Sequence, residues 1–104
     1  MSLFIAMNHF TVEPDRSADF EEHWRQRKSY LEKVPGFLGF ALLRGDEPGH
    51  YISHSSWESR EVFEAWTRSE VFRKAHAQAR TPAGVLRDHP RLALFEAVIE
   101  QRTP

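Results

Sequence analysis

The chain has 104 residues, the length of one domain built around one core, so we expect a single domain spanning residues 1–104. Hydrophobic residues make up 40% and charged residues 28%, a balance that fits a folded globular protein and excludes a disordered one. The 14 basic and 15 acidic residues give a net charge of −1, which argues against the basic surface that nucleic-acid binding needs.

Several kinds of site and location are also disfavoured. No apolar run approaches the roughly 20 residues of a membrane span, and the first twelve residues lack secretory-signal features, so we expect a cytoplasmic protein. The absence of cysteine excludes disulfides, thiolate zinc sites and cysteine nucleophiles. No HExxH, glycine-rich phosphate loop or GxSxG motif is present. The 12% aromatic content and six histidines instead favour a flat or metal-bearing ligand.

The chain begins with a predicted strand and a predicted helix. Residues 3–12 are apolar, β-branched and aromatic, which is typical of a strand. A helix is expected from Ser17, as its N-cap, to the stop at Pro35 and Gly36. The apolar stripe of this helix consists of Phe20, Trp24, Leu31 and Val34.

The second half predicts a hairpin, two short helices and a last strand. Residues 37–44 and 51–57 flank a turn-rich insert of hairpin length, which indicates an antiparallel pair. Two helices follow, with Ser59 and Ser69 as their N-caps. A polar loop, a candidate cover for a pocket, then leads to a strand over residues 92–99.

The resulting order, β-α-β-β-α-β, predicts a ferredoxin-like α+β fold with both helices on one face of a four-stranded antiparallel sheet. Strand residues such as Phe4, Phe10, Phe40 and Leu42 supply more apolar surface than two short helices can cover. We therefore expect the free sheet face to meet a second copy of the chain, forming a homodimer. The alternative is a monomer with a solvated sheet face.

His76 is the first candidate for chemistry. It falls on the apolar stripe of its helix between Ala75 and Ala77, which leave room for a planar group to approach the imidazole. Haem iron is a natural partner for this imidazole. The alternative is a buried or interfacial histidine whose hydrogen bonds are satisfied within the protein.

Arg27 and Trp24 form the second candidate pair. Arg27 puts a guanidinium where the stripe of the first helix calls for an apolar residue, so the charge needs a partner. That partner is either a protein carboxylate or a ligand carboxylate held bidentately. Trp24, one helical turn earlier, either forms an apolar wall beside the partner of Arg27 or packs in the core.

Asn8 and Trp66 complete the candidates. Asn8 interrupts the first strand on the side shared by Ala6 and Phe10, where an amide needs a hydrogen-bond partner. It pairs either with backbone or water, or with a bound polar atom or oxygen species. Trp66 ends a helix ten residues before His76, and core packing is its default role.

The remaining charged residues and histidines define no site. Glu21 and Glu22 indicate solvated helix charge. No metal-ligand spacing relates the other histidines, which are His9, His23, His50, His54 and His89.

Taken together, Asn8, Trp66 and His76 resemble the haem-degrading monooxygenases of the antibiotic biosynthesis monooxygenase superfamily, the IsdG-like group. The resemblance covers residues 3–99, in family order and spacing. Its most specific segments are MNHF, VPGFLGFALLRG, HSSWESREVFEAW and SEVFRKAH. The resemblance implies a dimeric α+β barrel in which each subunit binds haem between its helices and its sheet.

The same resemblance implies roles for five residues. His76 matches the proximal ligand of the haem iron, Asn8 the asparagine that hydrogen-bonds the distal ligand, and Trp66 the tryptophan that presses on the porphyrin and ruffles it. Trp24 and Arg27 fall where some members carry an aromatic residue and an arginine that line the pocket and approach a propionate. The aromatic residue there is often Phe, and the arginine is not general.

The implied activity is oxidative cleavage of haem at a meso carbon, with release of iron and a bilin-type product. Haem is then both substrate and the cofactor that activates O₂. No nicotinamide or flavin fingerprint occurs, so electrons must come from a separate reductase or small reductant. The alternatives are a cofactor-independent quinol-type monooxygenase of the same superfamily, a non-enzymatic haem-binding protein, and a structural barrel without a ligand.

Overall fold

A computed structural model describes residues 3–27, 30–78 and 81–103 of the chain. It contains four strands and three α-helices, in the order β1 Phe4–Thr11, α1 Ser17–Gln26, β2 Phe37–Arg44, β3 His50–Trp57, α2 Arg60–Thr67, α3 Glu70–Gln78 and β4 Arg91–Glu96. The α+β order is the predicted one, with the second helical segment split into α2 and α3. Among the residues described, no helix is long and apolar enough to cross a bilayer.

The strands form one antiparallel sheet in the order β2-β3-β1-β4, which confirms the ferredoxin-like fold. The central strand β1 pairs Asn8 with Ser53 of β3 on one side and with Leu92 of β4 on the other. Ser53 in turn lies opposite Leu42 of β2. Because directly paired residues point to the same face, these four side chains form a row across the sheet.

The helices cover the sheet face that carries this row, and the core beneath them is divided into two clusters. One cluster consists of Phe4, Ala6, Leu31, Trp57 and Phe63. The other consists of Phe10, Val12, Phe20, Tyr51 and Val85. Asn8 has the same strand parity as Ala6 and Phe10 and lies between the two clusters. A polar residue therefore occupies the point where the core is interrupted.

The structure corrects one of the three predicted N-caps. Ser59 accepts a hydrogen bond from the Val62 amide at 3.2 Å, and Ser69 accepts one from the Phe72 amide at 3.1 Å, as predicted. Ser17 is instead the first residue of α1, and Arg16 holds the N-cap position. The chain enters α1 through a 3₁₀ turn, so the Ser17 amide is already bonded to an upstream carbonyl.

The first helix is also shorter than predicted. It ends at Gln26, and Arg27 has extended backbone angles, φ −75° and ψ 146°. Tyr30 then adopts a left-handed conformation with φ 60°, and Leu31–Lys33 forms a separate 3₁₀ turn. Residues 28 and 29 lie outside the described part. Leu31 reaches the core because the chain turns, not because a continuous helix carries it there.

The last strand is shorter than predicted as well. β4 ends at Glu96, and the predicted strand residues 97–99 are not paired beyond one bond from the Ala97 amide to the Leu3 carbonyl at 2.8 Å. The neighbouring strand β1 begins at Phe4, so it offers no further backbone for pairing in the described part.

The reason given for a homodimer needs correction, because the residues that predicted it lie on the covered face. Phe4 and Phe10 are buried in the two clusters, and Phe40 and Leu42 share their side of the sheet. The helix-free face carries a different apolar set, consisting of Ile5, Met7, Leu43, Ile52 and Phe95. The homodimer remains a prediction that rests on this second set.

Candidate functional site

A cleft of about 230 Å³ lies between the sheet and the helices and brings together all five residues singled out in the sequence. These residues are Asn8, Trp24, Arg27, Trp66 and His76. The other lining residues are Ala6, Leu31, Phe40, Ser53, Ser55, Phe63, Thr67, Phe72 and Leu92. The walls are therefore largely aromatic, and none of the described lining residues is acidic.

Four buried side-chain polar atoms in the described part have no hydrogen-bond partner, and all four belong to this cleft. They are Asn8 Oδ1, Trp24 Nε1, Arg27 Nε and Trp66 Nε1. Folded proteins pair nearly all buried polar groups, since an unpaired one costs about 1–3 kcal/mol. Their concentration around one cavity indicates a place where a polar ligand supplies the missing partners.

Arg27 lies at one end of the cleft, just beyond α1 rather than on its stripe as predicted. Its guanidinium carbon is 4.2 Å from the centroid of the Trp24 ring, a cation–π contact. Partial burial of the guanidinium lowers the pKa of Arg27. In the described structure no ion pair joins Arg27 to a carboxylate, so the protein partner considered in the sequence is not found.

Trp24 forms the wall next to this cation. Its ring stacks on Phe40 of β2, with centroids 5.6 Å apart and planes at 14°, and meets Phe10 edge-on at 5.8 Å. Trp24 packs against the second core cluster as well as lining the cleft. Trp24 is therefore both an apolar wall of the cleft and a residue packed against the core.

The opposite wall comes from the junction of α2 and α3. The Ser69 hydroxyl donates to the Trp66 carbonyl at 2.6 Å while accepting from the Phe72 amide, so it closes one helix and opens the next. This bend directs Trp66 and His76 into the same cleft, with ring centroids 6.0 Å apart. Trp66 also packs on Trp57 at 4.9 Å, so it joins the core as well as the cleft.

His76 presents one nitrogen to a ligand. Its Nδ1 lies 3.0 Å from the Phe72 carbonyl, which can only accept, so in the neutral imidazole this contact favours the tautomer with the proton on Nδ1 and the lone pair on Nε2. The Phe72 ring packs on the imidazole with centroids 3.9 Å apart. Among the described side chains of α3, Ala75 is buried, whereas His76 packs on Phe72, as the predicted stripe implies, and is exposed to the open cleft. The side chain of Ala77 lies outside the described part.

The prediction that Glu21 is a solvated charge on the helix surface is wrong. Its side chain is 15% exposed, whereas Glu22 is solvated as predicted at 54%. Arg44 and the Tyr51 hydroxyl both donate to the Glu21 carboxylate and lower its pKa from 4.5 to about 2. Burial raises the pKa of Tyr51. These partners are 23 and 30 residues away, so no local sequence pattern identifies them.

The polar loop before β4 was predicted as a possible cover for the pocket. Its described residues, 81–90, do not line the cleft. Val85 is buried in the second core cluster, and Leu86 forms a bridge with Val12. Arg87 pairs with Glu13 at 3.2 Å. The segment is therefore fastened to the end of β1, away from the cavity.

Comparison with known proteins gives consistent matches. The antibiotic biosynthesis monooxygenase family matches residues 3–78. The chain is 33% identical over 99 residues to the Mycobacterium tuberculosis "Heme oxygenase (mycobilin-producing)", covering 92% of this chain and 90% of that protein.

Solved structures give the same picture of the fold. The M. tuberculosis heme-degrader MhuD with two hemes bound in its active site superposes with a TM-score of 0.75 and 29% identity, over 95% of this chain and 99% of that one. SnoaB, a cofactor-independent oxygenase from Streptomyces nogalater, matches with a TM-score of 0.68 and 22% identity, over 100% and 99%. At this identity, the match with SnoaB shows only that the two proteins share a fold.

Proposed function

The chain belongs to the antibiotic biosynthesis monooxygenase family, and from that premise we propose that it is a haem-degrading monooxygenase. In this proposal it cleaves haem oxidatively to a bilin-type product and releases iron, using O₂ and electrons from outside. The observation that carries the proposal is the cleft itself. An imidazole meets four unsatisfied polar atoms between aromatic walls, and one of the four belongs to the half-buried cation Arg27. The M. tuberculosis haem oxygenase relative supports the same substrate.

The residues present fit a haem group in their chemistry. His76 would hold the iron through Nε2, because its Nδ1 proton is committed to the Phe72 carbonyl. Arg27 would pair with a propionate, which supplies the anion that the cleft lacks. Trp24 and Trp66 would contact the flat faces or edges of the macrocycle. When bound, haem supplies the redox-active iron at which O₂ is activated and is itself the substrate.

The chain's own contribution is to bind, orient and shield this group. Asn8 offers a neutral amide at the interruption of the core, where it provides a hydrogen bond without an acidic proton. Trp66 is fixed between Trp57 and Phe72, at 4.9 and 4.8 Å, so it would press on the macrocycle as a rigid wall and favour ruffling. The apolar lining would shield a bound macrocycle from water.

The proposal has three further parts. We propose that the protein is a homodimer, that a separate reductase or small reductant supplies its electrons, and that it is cytoplasmic. The first part is supported by the apolar residues of the helix-free sheet face, with Phe95 50% and Leu43 43% exposed. The second is supported by the absence of a nicotinamide or flavin fingerprint from the sequence.

Titration with hemin tests binding. We expect a saturable, shifted Soret band in the wild type and its loss in His76→Ala. His89→Ala is the matched control, because His89 is exposed and does not line the cleft, and it should bind like the wild type. A wild type without a saturable band would contradict the proposal and favour the cofactor-independent quinol-type enzyme.

Turnover is tested by adding a reductant and air to the hemin complex in the presence of catalase, which removes the peroxide that destroys haem nonspecifically. We expect the Soret band to bleach and iron to become chelatable. An unchanged band would indicate a haem-binding protein without turnover. Asn8→Ala should bind hemin but turn it over slowly, and wild-type turnover by this variant would remove Asn8 from the mechanism.

A further inference from the structure

Glu21 fastens α1 to both strands of the β2–β3 hairpin. Its carboxylate accepts a hydrogen bond from the Tyr51 hydroxyl at 2.5 Å. It also accepts two from Arg44, from Nη2 at 2.7 Å and from Nε at 2.8 Å. Tyr51 and Arg44 lie directly opposite each other in the β2–β3 ladder. One carboxylate therefore ties a helix to two strands through three charge-assisted hydrogen bonds, two of them from a single guanidinium.

The other contacts that hold α1 on the sheet are aromatic, and they include those of Trp24 with Phe40 and Phe10. Phe20 is the only buried residue of this helix, where its ring packs on Tyr51 at 4.8 Å. The N-cap residue Arg16 makes no side-chain capping bond. The helix has ten residues, so its placement depends on tertiary contacts more than on its own stability. Phe20 and Glu21 are adjacent, and together they locate the first half of α1.

The second half of α1 carries the wall of the cleft and leads directly to its cation, Arg27. Trp24 follows Glu21 by three residues, one helical turn, and therefore lies on the same side of the helix. Arg27 follows by three more and places its guanidinium over the Trp24 ring. Glu21 itself does not line the cleft, but it borders the neighbouring groove on the far side of Trp24 and Phe40.

We propose that Glu21 is a positioning residue for the ligand cleft. By binding Tyr51 and Arg44, it holds α1 where Trp24 and Arg27 meet the ligand. The identity of that ligand rests on the proposed haem function, whereas the placement of Trp24 can be measured without any ligand. Glu21 touches neither the cleft nor its contents, so its effect must pass through Trp24.

The first test observes Trp24 directly in the ligand-free protein. The indole N–H signals of the three tryptophans are recorded by ¹H–¹⁵N NMR, and the Trp24 signal is assigned with Trp24→Phe. We expect Glu21→Gln and Tyr51→Phe each to displace the Trp24 signal and to leave that of Trp57 in place. Glu22→Gln, an adjacent and exposed carboxylate with the same charge change, should leave both signals unchanged.

The second test measures hemin affinity at a temperature where every variant is folded by circular dichroism. Glu21→Gln should raise the Kd of hemin about tenfold, because a displaced α1 no longer presents Trp24 and Arg27 to the ligand. Tyr51→Phe should raise it less, and Glu22→Gln should leave it unchanged.

The two tests separate the inference from the proposed function. If Glu21→Gln lowers stability but leaves the Trp24 signal and the hemin Kd unchanged, its role is structural and the inference is overturned. If the wild type does not bind hemin, the proposed function fails, and the Trp24 signal alone decides whether Glu21 positions α1.

Discussion

At the scale of single residues, Arg27 constrains the ligand most. A guanidinium taken out of water without a carboxylate is costly, and burial lowers its pKa. The cleft offers no acidic side chain among its described residues, and Trp24 Nε1 next to Arg27 is also unpaired. Both unsatisfied donors would be satisfied by one carboxylate of a ligand. The site is therefore suited to a flat apolar molecule that carries an acidic edge.

We expect Arg27→Met to weaken hemin binding by about tenfold or more, because a charge-assisted hydrogen bond is lost. Haem dimethyl ester, whose propionates carry no charge, should bind the variant and the wild type with similar affinity. Trp24→Phe, which removes the indole N–H donor together with part of the ring, should show a smaller effect with the same dependence on the free acid. Absorbance titration measures all of these affinities.

The control for this experiment is Arg73→Met, which removes an exposed arginine that pairs with Glu70 on α3 and does not line the cleft. It should bind both forms of haem like the wild type. Equal loss of affinity for the free acid and the ester in Arg27→Met would mean that Arg27 only supports the structure. The carboxylate assignment would then be wrong.

At the scale of secondary-structure elements, the bend between α2 and α3 determines where His76 lies. Ser69 terminates α2 through the Trp66 carbonyl and starts α3 through the Phe72 amide. Phe72 then contacts both Trp66 and His76 with its ring. A single hydroxyl therefore sets the angle at which α3 carries the candidate ligand towards the cavity.

Ser69→Ala is expected to destabilise the protein by about 1 kcal/mol, the usual cost of losing an N-cap, and to weaken hemin binding as well. Ser59→Ala is a matched control, because Ser59 caps α2 through Val62 with the same geometry but lies outside the bend. It should cost a similar free energy of unfolding with little change in hemin affinity. Urea unfolding and hemin titration give the two quantities, and equal losses of affinity in both variants would contradict a specific role for the bend.

The elements also show what the sequence can and cannot predict. The strands and the caps at Ser59 and Ser69 were predictable, because apolar runs bounded by turn residues and local side-chain hydrogen bonds act within a few residues. The end of α1 at Gln26 was not, because the apolar spacing continues to Leu31 while the backbone turns. Only tertiary packing of Leu31 in the core selects that turn.

The sequence predicted which residues line the candidate site better than it predicted the surroundings of each residue. Asn8 and Arg27 stood out because each breaks an apolar pattern, and both line the cleft. Glu21 follows the pattern of a solvated helix face, so nothing in its neighbourhood distinguished it from Glu22. Its partners come from strands that lie far along the chain and meet it only in the folded structure.

At the scale of the whole molecule, two ion pairs connect distant parts of the chain and make folding depend on pH. Glu21 pairs with Arg44, and its folded pKa of about 2 lies below its ordinary value of 4.5. The pKa of Glu13 is likewise lowered by its hydrogen bond to Arg87. In both cases the unfolded chain binds protons more readily than the folded one, so acid favours unfolding.

The sign of this linkage gives a measurable profile. The stabilisation from Glu21 is complete above about pH 4.5 and is lost as pH falls from there through about 2. We expect the free energy of unfolding in urea to decline over that window in the wild type and to decline less in Glu21→Gln. Glu22→Gln should keep the wild-type slope, since Glu22 is largely solvated. Parallel profiles for the wild type and Glu21→Gln would contradict the assignment.

The last feature at this scale is the sheet face that the helices leave uncovered. Phe95 lies on it, paired with Ile5 of β1, whereas the neighbouring Leu94 points to the helix side. Ile52 and Leu43 extend the apolar area across β3 and β2. Burying this face against a second copy would remove it from water and lower the free energy of the dimer.

We expect the protein to elute with twice the mass of the chain in size-exclusion chromatography with light scattering. Phe95→Lys should give a monomer, because an unpaired charge would be buried in the interface. Leu94→Lys places the same charge one residue away on the opposite face and should remain dimeric. A monomeric wild type, or dissociation caused equally by both substitutions, would show that the uncovered face does not join two copies.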